Sequence, residues 1–196
     1  MFKKKLFLLF CLPFILGLFM LSGCGIATPV TVNPAVVAVG DSYGGGIVAY
    51  ILQSGDPGYI SGQTHGLIAA TADQSTGIQW YNGDYITTGA TATEIGTGLA
   101  NTNTIILVQG AIATSYAAGL ARAYNGGGYS DWYLPSKDEL NKLYLNKVTI
   151  GGFADYCYWS SSETNATTAW AQYFGDGYQH YDDKYYYDRV RAVRAF

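Results

Sequence analysis

Histidine, methionine and cysteine are scarce in this chain and charge is thin, and each shortage removes a class of function. The 196 residues include two histidines, two methionines and three cysteines, and 13% are charged. His65 and His180 stand 115 positions apart with no cysteine pair beside them, too few ligands for a zinc site, so no metal and no cofactor is expected. The glycine triplets at 44–46 and 126–128 lack the Gly-Lys-Ser/Thr that completes a phosphate loop and are expected to be plain loops.

What is present begins with a leader. Lys3, Lys4 and Lys5 precede an apolar run of sixteen residues from Leu6 to Leu21. That run is shorter than the roughly 20 residues that cross a bilayer, so residues 1–23 are predicted to be a secretory signal rather than a spanning helix. Leu21-Ser22-Gly23-Cys24 resembles the lipobox of bacterial lipoproteins, which implies that Cys24 carries the lipid and becomes the first mature residue. Gly25, where aspartate could stand, resembles outer-membrane sorting.

Without the leader, eight basic residues face 14 acidic ones, a net charge of minus six over 173 residues. A nucleic-acid-binding domain leans the other way. Cys11 leaves with the leader, so beside the lipidated Cys24 only Cys157 remains and no intrachain disulfide is available. The fold must rest on its own core, for which about 170 residues suffice. Residues 24–38, uncharged and carrying Pro29 and Pro34, read as a lipidated tether, whose fourteen residues after Cys24 reach roughly 46 Å at about 3.3 Å per residue. Residues 39–196 are then expected to be one domain.

Within it, Gly46 to Leu52 and Gly66 to Thr71 are short apolar runs between turn residues, as buried strands are, and Ile78 to Tyr81 predicts another. Asn101 to Tyr124 lacks proline and sets Ile105, Val108, Ile112, Tyr116 and Leu120 on one helical face, which predicts a first helix ending near the glycines at 126–128. A second opens at Pro135-Ser136, where Ser136 and Glu139 have capping-box spacing ahead of Leu140 and Leu143. From Tyr156 the chain reads as strands, with Gly175-Asp176-Gly177 as a turn and Arg189 to Phe196 as a terminal strand. Strands, two helices and a β-rich C-terminal half make an α+β domain.

Few residues suggest catalysis. Gly40-Asp41-Ser42-Tyr43-Gly44 matches a hydrolase nucleophile elbow, but a β-like run follows where a helix is needed, so a hydrolase is only a remote alternative. His65 reads as a turn or surface residue. Asp182-Asp183 has too few oxygen neighbours for calcium. Trp132, Trp159 and Trp170 are assigned to the scaffold. Arg189, Arg191 and Arg194 lie in an apolar strand, so any that are buried need carboxylates such as Asp131, Glu139 or Glu163.

Val39-Gly40-Asp41 with Gly45-Gly46-Ile47, the run Gly127 to Leu140, Tyr158 to Glu163, Ala169-Trp170 and Val190 to Phe196 together resemble the domain named after the C-terminus of the Legionella collagen-like adhesin. The resemblance covers nearly all of residues 39–196. It implies a C-type lectin-like, formylglycine-generating-enzyme-like fold. Such enzymes work through a cysteine pair, which is missing, so no enzymatic activity is expected. The Glu-Pro-Asn and Trp-Asn-Asp motifs of calcium-dependent sugar-binding lectins are missing too.

One segment is unusual. From Tyr173 to Asp188, tyrosine, aspartate and histidine fill eleven of sixteen positions: Tyr173, Asp176, Tyr178, His180, Tyr181, Asp182, Asp183, Tyr185, Tyr186, Tyr187 and Asp188. A core rejects the carboxylates, and a merely soluble strand does not need six tyrosines. Tyr, Asp and His are, however, the residues reached from an asparagine codon when its first adenine changes. The pattern resembles the variable proteins of diversity-generating retroelements, some of which are surface lipoproteins. These eleven positions are therefore the expected ligand-binding face, of the kind tyrosine-rich paratopes present. The partner is an unidentified protein or glycan, and the setting is the bacterial cell envelope, with the lipid anchor in the outer membrane or at the cell surface. A glycan- or matrix-binding adhesin with a fixed site is the alternative.

Overall fold

The structure, a computed structural model, describes residues 37–110 and 114–196. The expected signal over 1–23, Cys24, nearly all of the tether and Ile112 lie outside the described residues. Thirteen elements follow in chain order. Strands β1 (Ser42–Tyr43), β2 (Gly46–Ile51), β3 (Gly66–Ala69) and β4 (Ser75–Ile78) come first. Helices α1 (Gly98–Gln109), α2 (Ala117–Ala123), α3 (Lys137–Leu145) and α4 (Lys147–Ile150) follow, then β5 (Cys157–Glu163), β6 (Thr168–Tyr173), β7 (Gln179–Asp183), β8 (Asp188–Val190) and β9 (Val193–Ala195). The α+β class holds, with four helical segments where two were expected. None of them is long and apolar enough to cross a membrane.

The strands form two sheets, ordered β1-β2-β3-β9 and β4-β8-β5-β6-β7. All neighbours are antiparallel except β5 and β8, which run parallel with Tyr158 opposite Arg189. The terminal apolar stretch is therefore not one strand. It leaves the second sheet after Val190 and enters the first at Val193, where β9 pairs with β3. Arg191 fills the crossing: buried, it donates to Asp73 and to the carbonyls of Ala70, Gly151 and Gly152, and its guanidinium lies 4.0 Å from the Phe153 ring centre.

The expected long helix is two. Gly110, at φ +104°, closes α1 with its amide on the Ile106 carbonyl, and Tyr116 is fully extended before α2 begins. Ile105 and Tyr116 are buried, but Val108 is exposed, so the periodic face does not continue across the break. The strand expected at Ile78 to Tyr81 lies earlier, at Ser75–Ile78. Beyond it the chain stays bonded without joining the sheet, Trp80 donating its amide to the Lys184 carbonyl. α3 begins as anticipated: Ser136 accepts from the Glu139 amide, Glu139 accepts from the Ser136 amide, and Leu140 and Leu143 are buried. The two glycine triplets have a role that composition hid. A Cβ on Gly45 would stand 2.5 Å from the Gly126 carbonyl oxygen, so the two loops touch backbone to backbone.

Two apolar cores result. One gathers Trp80, Trp132 and Trp159 with Ile105, Tyr116 and Ala117, Ala118 and Ala121 of α2. The other joins Leu67, Tyr133, Leu140, Leu143, Tyr158, Phe174 and Val193. Trp132 and Trp159 are scaffold as expected. Trp170 is only half-buried, with the Lys137 ammonium 3.8 Å from its ring centre.

Candidate functional site

The Tyr173–Asp188 segment is a hairpin at the free edge of the second sheet, followed by the loop to β8. Gly177, at φ +88°, makes the turn that the glycines suggested, its amide on the Tyr173 carbonyl, while the Tyr173 amide reaches Tyr178 O. β6 and β7 then pair in unbroken register from Gln172–Gln179 to Thr168–Asp183.

Three side chains in the segment hold it to the core. Phe174 is buried against Tyr144, Phe153 and Tyr158. Gln179 donates to the Lys137 carbonyl. Lys184 is fully buried, 2.5 Å from Glu163 Oε1 and 4.4 Å from the Trp80 ring centre. None of the three belongs to the Tyr/Asp/His set. By contrast all six tyrosines, Tyr173, Tyr178, Tyr181, Tyr185, Tyr186 and Tyr187, are exposed, from 36% at Tyr173 to 67% at Tyr178. Asp176 is exposed too, and Asp182 and Asp183 are half-buried.

Asp188 departs from the expected exposed face. It is 5% exposed at the start of β8, and Oδ2 has no hydrogen-bond partner. Burial first, and the neighbouring Asp182 carboxylate second, push its pKa up to about 7.

The exposed residues occupy both sides of β7, because strand residues alternate. Tyr181 sits on one side, edge-on to Trp170 at 6.2 Å between centroids, and Asp183 Oδ1 accepts from the Tyr85 hydroxyl at 2.5 Å. That bond holds the Tyr85 phenol above its ordinary pKa. Tyr85 in turn stacks on Tyr81 at 4.9 Å. Trp170, Lys137, Tyr81 and Tyr85 thus extend the aromatic face beyond the segment. Only the Tyr81/Tyr85 pairing in a polar loop hinted at this in the sequence.

On the other side, Tyr178 stacks on His180 with planes 6° apart. His180 Nε2 lies 3.1 Å from Asp182 Oδ2 and 3.8 Å from Cys157 Sγ. Burial, then the carboxylates of Asp188, Asp182 and Asp176, push the Cys157 thiol up to about 12. Counting ligands along the chain did not anticipate this cluster, since β5 and β7 supply its members from 23 residues apart.

The remaining candidates are accounted for. Ser42 lies on β1, which turns into β2, so the strand-turn-helix of an elbow is not formed. His65 bridges Phe196 O and Gln63 Oε1. Arg194 pairs with Asp131 as anticipated, 2.8 Å apart. Arg189 and Arg191 instead share Asp73, while Glu163 serves Lys184 and Glu139 serves the α3 cap, so neither glutamate is an arginine partner. Two cavities, of about 300 Å³ beside Asp73, Leu120 and Tyr124 and about 270 Å³ beside Leu67, Tyr133 and Phe196, have no lining residue from the hairpin.

One family profile, that of the Lcl C-terminal domain, matches residues 69–194. No curated protein matches the chain.

Proposed function

This chain belongs to the Lcl C-terminal domain family, and from that premise we propose a surface-anchored, non-catalytic ligand-binding lipoprotein whose segment from Tyr173 to Asp188 is a diversified binding face. As a member of that family it is a surface- or adhesin-related domain. Cys24 anchors it in the membrane, with the domain at the outer membrane or cell surface, and the fold is of the C-type lectin-like kind. The ligand is a protein or a glycan.

One observation carries the reading. Within the segment, residues reachable from an asparagine codon and residues that hold the fold are nearly separate sets. Phe174, Gly177, Gln179 and Lys184 form the turn and the anchors, while ten of the eleven Tyr/Asp/His positions are exposed or half-buried and Asp188 alone is buried. A surface built for substitution needs that separation, because the varied side chains must change without disturbing the core. Tyrosine suits such a surface: large contact area, few rotatable bonds and a hydroxyl.

Sequencing the gene with several kilobases on either side tests this. The expected finding is a near-copy of the 3′ end that reads asparagine codons at the eleven positions, beside a reverse transcriptase gene. Absence of such a copy would make the tyrosines fixed features.

A conventional glycan-binding adhesin then leads, and it has an observation of its own. Trp170 with Lys137, and the Tyr81/Tyr85 stack, flank Tyr181 and Asp183 from outside the segment. Aromatic faces of that kind stack on sugar rings. Ligand binding that survives replacement of all eleven segment positions would favour it.

A further inference from the structure

The carboxylate of Asp188 is out of keeping with the other buried acids. Glu163 accepts from the amides of Thr88 and Gly89 and from Lys184, and Glu139 from the amides of Ser136 and Gly96. Asp188 Oδ2 has no donor, and the groups around it are a second carboxylate, Asp182, and the Cys157 thiol. The nearby cations are committed elsewhere, Lys184 to Glu163 and Arg189 to Asp73. A buried carboxylate facing another carboxylate without a cation is costly.

The neighbouring strands bring a ligand set together beside it. Cys157 opens β5, opposite Tyr173, and His180 stands on β7 opposite the buried, small Ala171. Asp182 follows two residues later on the same face of β7. One donor atom from each of Cys157, His180 and Asp182 lies within 4.8 Å of the other two. Bonds of about 2.3 Å to sulfur and about 2.0 Å to nitrogen and oxygen place tetrahedral ligand atoms roughly 3.3–3.6 Å apart, between the 3.1 Å and 3.8 Å that separate His180 Nε2 from Asp182 Oδ2 and Cys157 Sγ. His180 Nδ1 lies 3.3 Å from the Tyr178 carbonyl oxygen. Donation of the Nδ1 proton to that carbonyl leaves the Nε2 lone pair for the cluster, the outer-shell arrangement metal-binding histidines use.

We propose that Cys157 Sγ, His180 Nε2 and Asp182 Oδ2 are three ligands of a zinc-class divalent ion, with the unpartnered Asp188 carboxylate as a nearby negative charge that favours a cation there. The thiolate and imidazole select a borderline ion over calcium or magnesium, which take oxygen ligands. On binding, the Cys157 thiol gives its proton to solvent as the sulfur–metal bond forms, His180 coordinates through the Nε2 lone pair with its proton on Nδ1, Asp182 coordinates as the carboxylate, and no electron moves. Three protein ligands leave the fourth tetrahedral position to water or to a group of a bound partner. The ion ties the start of β5 to β7 on one side of the tyrosine hairpin. His180 and Asp182 are among the eleven positions proposed to vary, so the ion belongs to this chain's own hairpin surface and would be absent from variants that differ there; its test needs no ligand of that surface.

Full-length protein in detergent, stripped with chelator, tests it. Addition of zinc should restore one equivalent per chain and raise Tm in a zinc-dependent way, and calcium should do neither. Cobalt should bind at the same stoichiometry and show a thiolate-to-metal charge-transfer band, which reports Cys157 directly and needs no variant. Cys157→Ser and Asp182→Asn should each weaken zinc at least about tenfold. Asp183→Asn, on the opposite face of β7, should leave the affinity unchanged. A missing cobalt-thiolate band, calcium as effective as zinc, or unaltered zinc affinity in Asp182→Asn would overturn the site.

Discussion

Two populations among the eighteen tyrosines divide this molecule. In the scaffold, Tyr116, Tyr133 and Tyr158 are buried, and each hydroxyl has a partner: Gly110 O, Glu139 Oε1 and Asp73 Oδ2 respectively. In the hairpin, six tyrosines stand out into water on two sides of one strand and along the loop after it. The same side chain serves packing and precise hydrogen bonding in one place and broad contact area in the other. Exposure alone is not the distinction. A scaffold tyrosine cannot change without orphaning a partner, whereas a hairpin tyrosine is bound to little that must be kept.

The sharpest way to break this division is at Lys184, which lies among the exposed tyrosines but belongs to the scaffold. Glu163→Ala leaves its ammonium buried without a counter-charge and should cost about 3–5 kcal/mol in urea denaturation. Tyr158→Phe keeps the ring and removes the hydroxyl that serves Asp73 and the Ala154 amide, so a loss of about 1–3 kcal/mol is expected. A smaller, pH-dependent effect belongs to Glu139, whose pKa burial raises above its ordinary value. The folded state then holds a proton that the unfolded state has released, and stability falls as pH rises from the ordinary glutamate range through the raised value, by less than about 1.4 kcal/mol per pH unit. Glu139→Gln preserves the capping geometry and should flatten that slope in denaturation curves taken across acid pH. Smallest of all, Tyr178, Tyr181, Tyr185 and Tyr187 replaced together by alanine should move stability within about 0.5 kcal/mol per site while ligand binding is lost. A large fall in Tm would place these rings in the core and erase the comparison.

Features set by a few neighbouring residues were legible in the sequence. The Ser136–Glu139 capping box, the Gly175–Gly177 turn, the strands beginning at Gly46 and Gly66, and the strand-helix-strand order all follow from local chemistry. Features that depend on distant partners were not. Nothing near Arg189 or Arg191 points to Asp73, 116 and 118 residues away, and nothing near Cys157 points to His180. Apolar spacing in residues 101–124 read as one helix because a helical period continues through Gly110 even though the backbone turns there. The eleven candidate positions were visible through composition, but the burial of Asp188 is decided by the parallel pairing of β8 with β5, which composition does not encode.

The crossing at Arg191 has a kinetic consequence. β9 pairs with β3 through contacts such as Leu67 with Ala195, spanning well over a hundred residues, and such long loop closures are slow. Only Arg191 and Ala192 separate β8 in the second sheet from β9 in the first. A slip of β8 against its neighbours would shift β9 along β3 as well, so an error of register in one sheet is passed to the other.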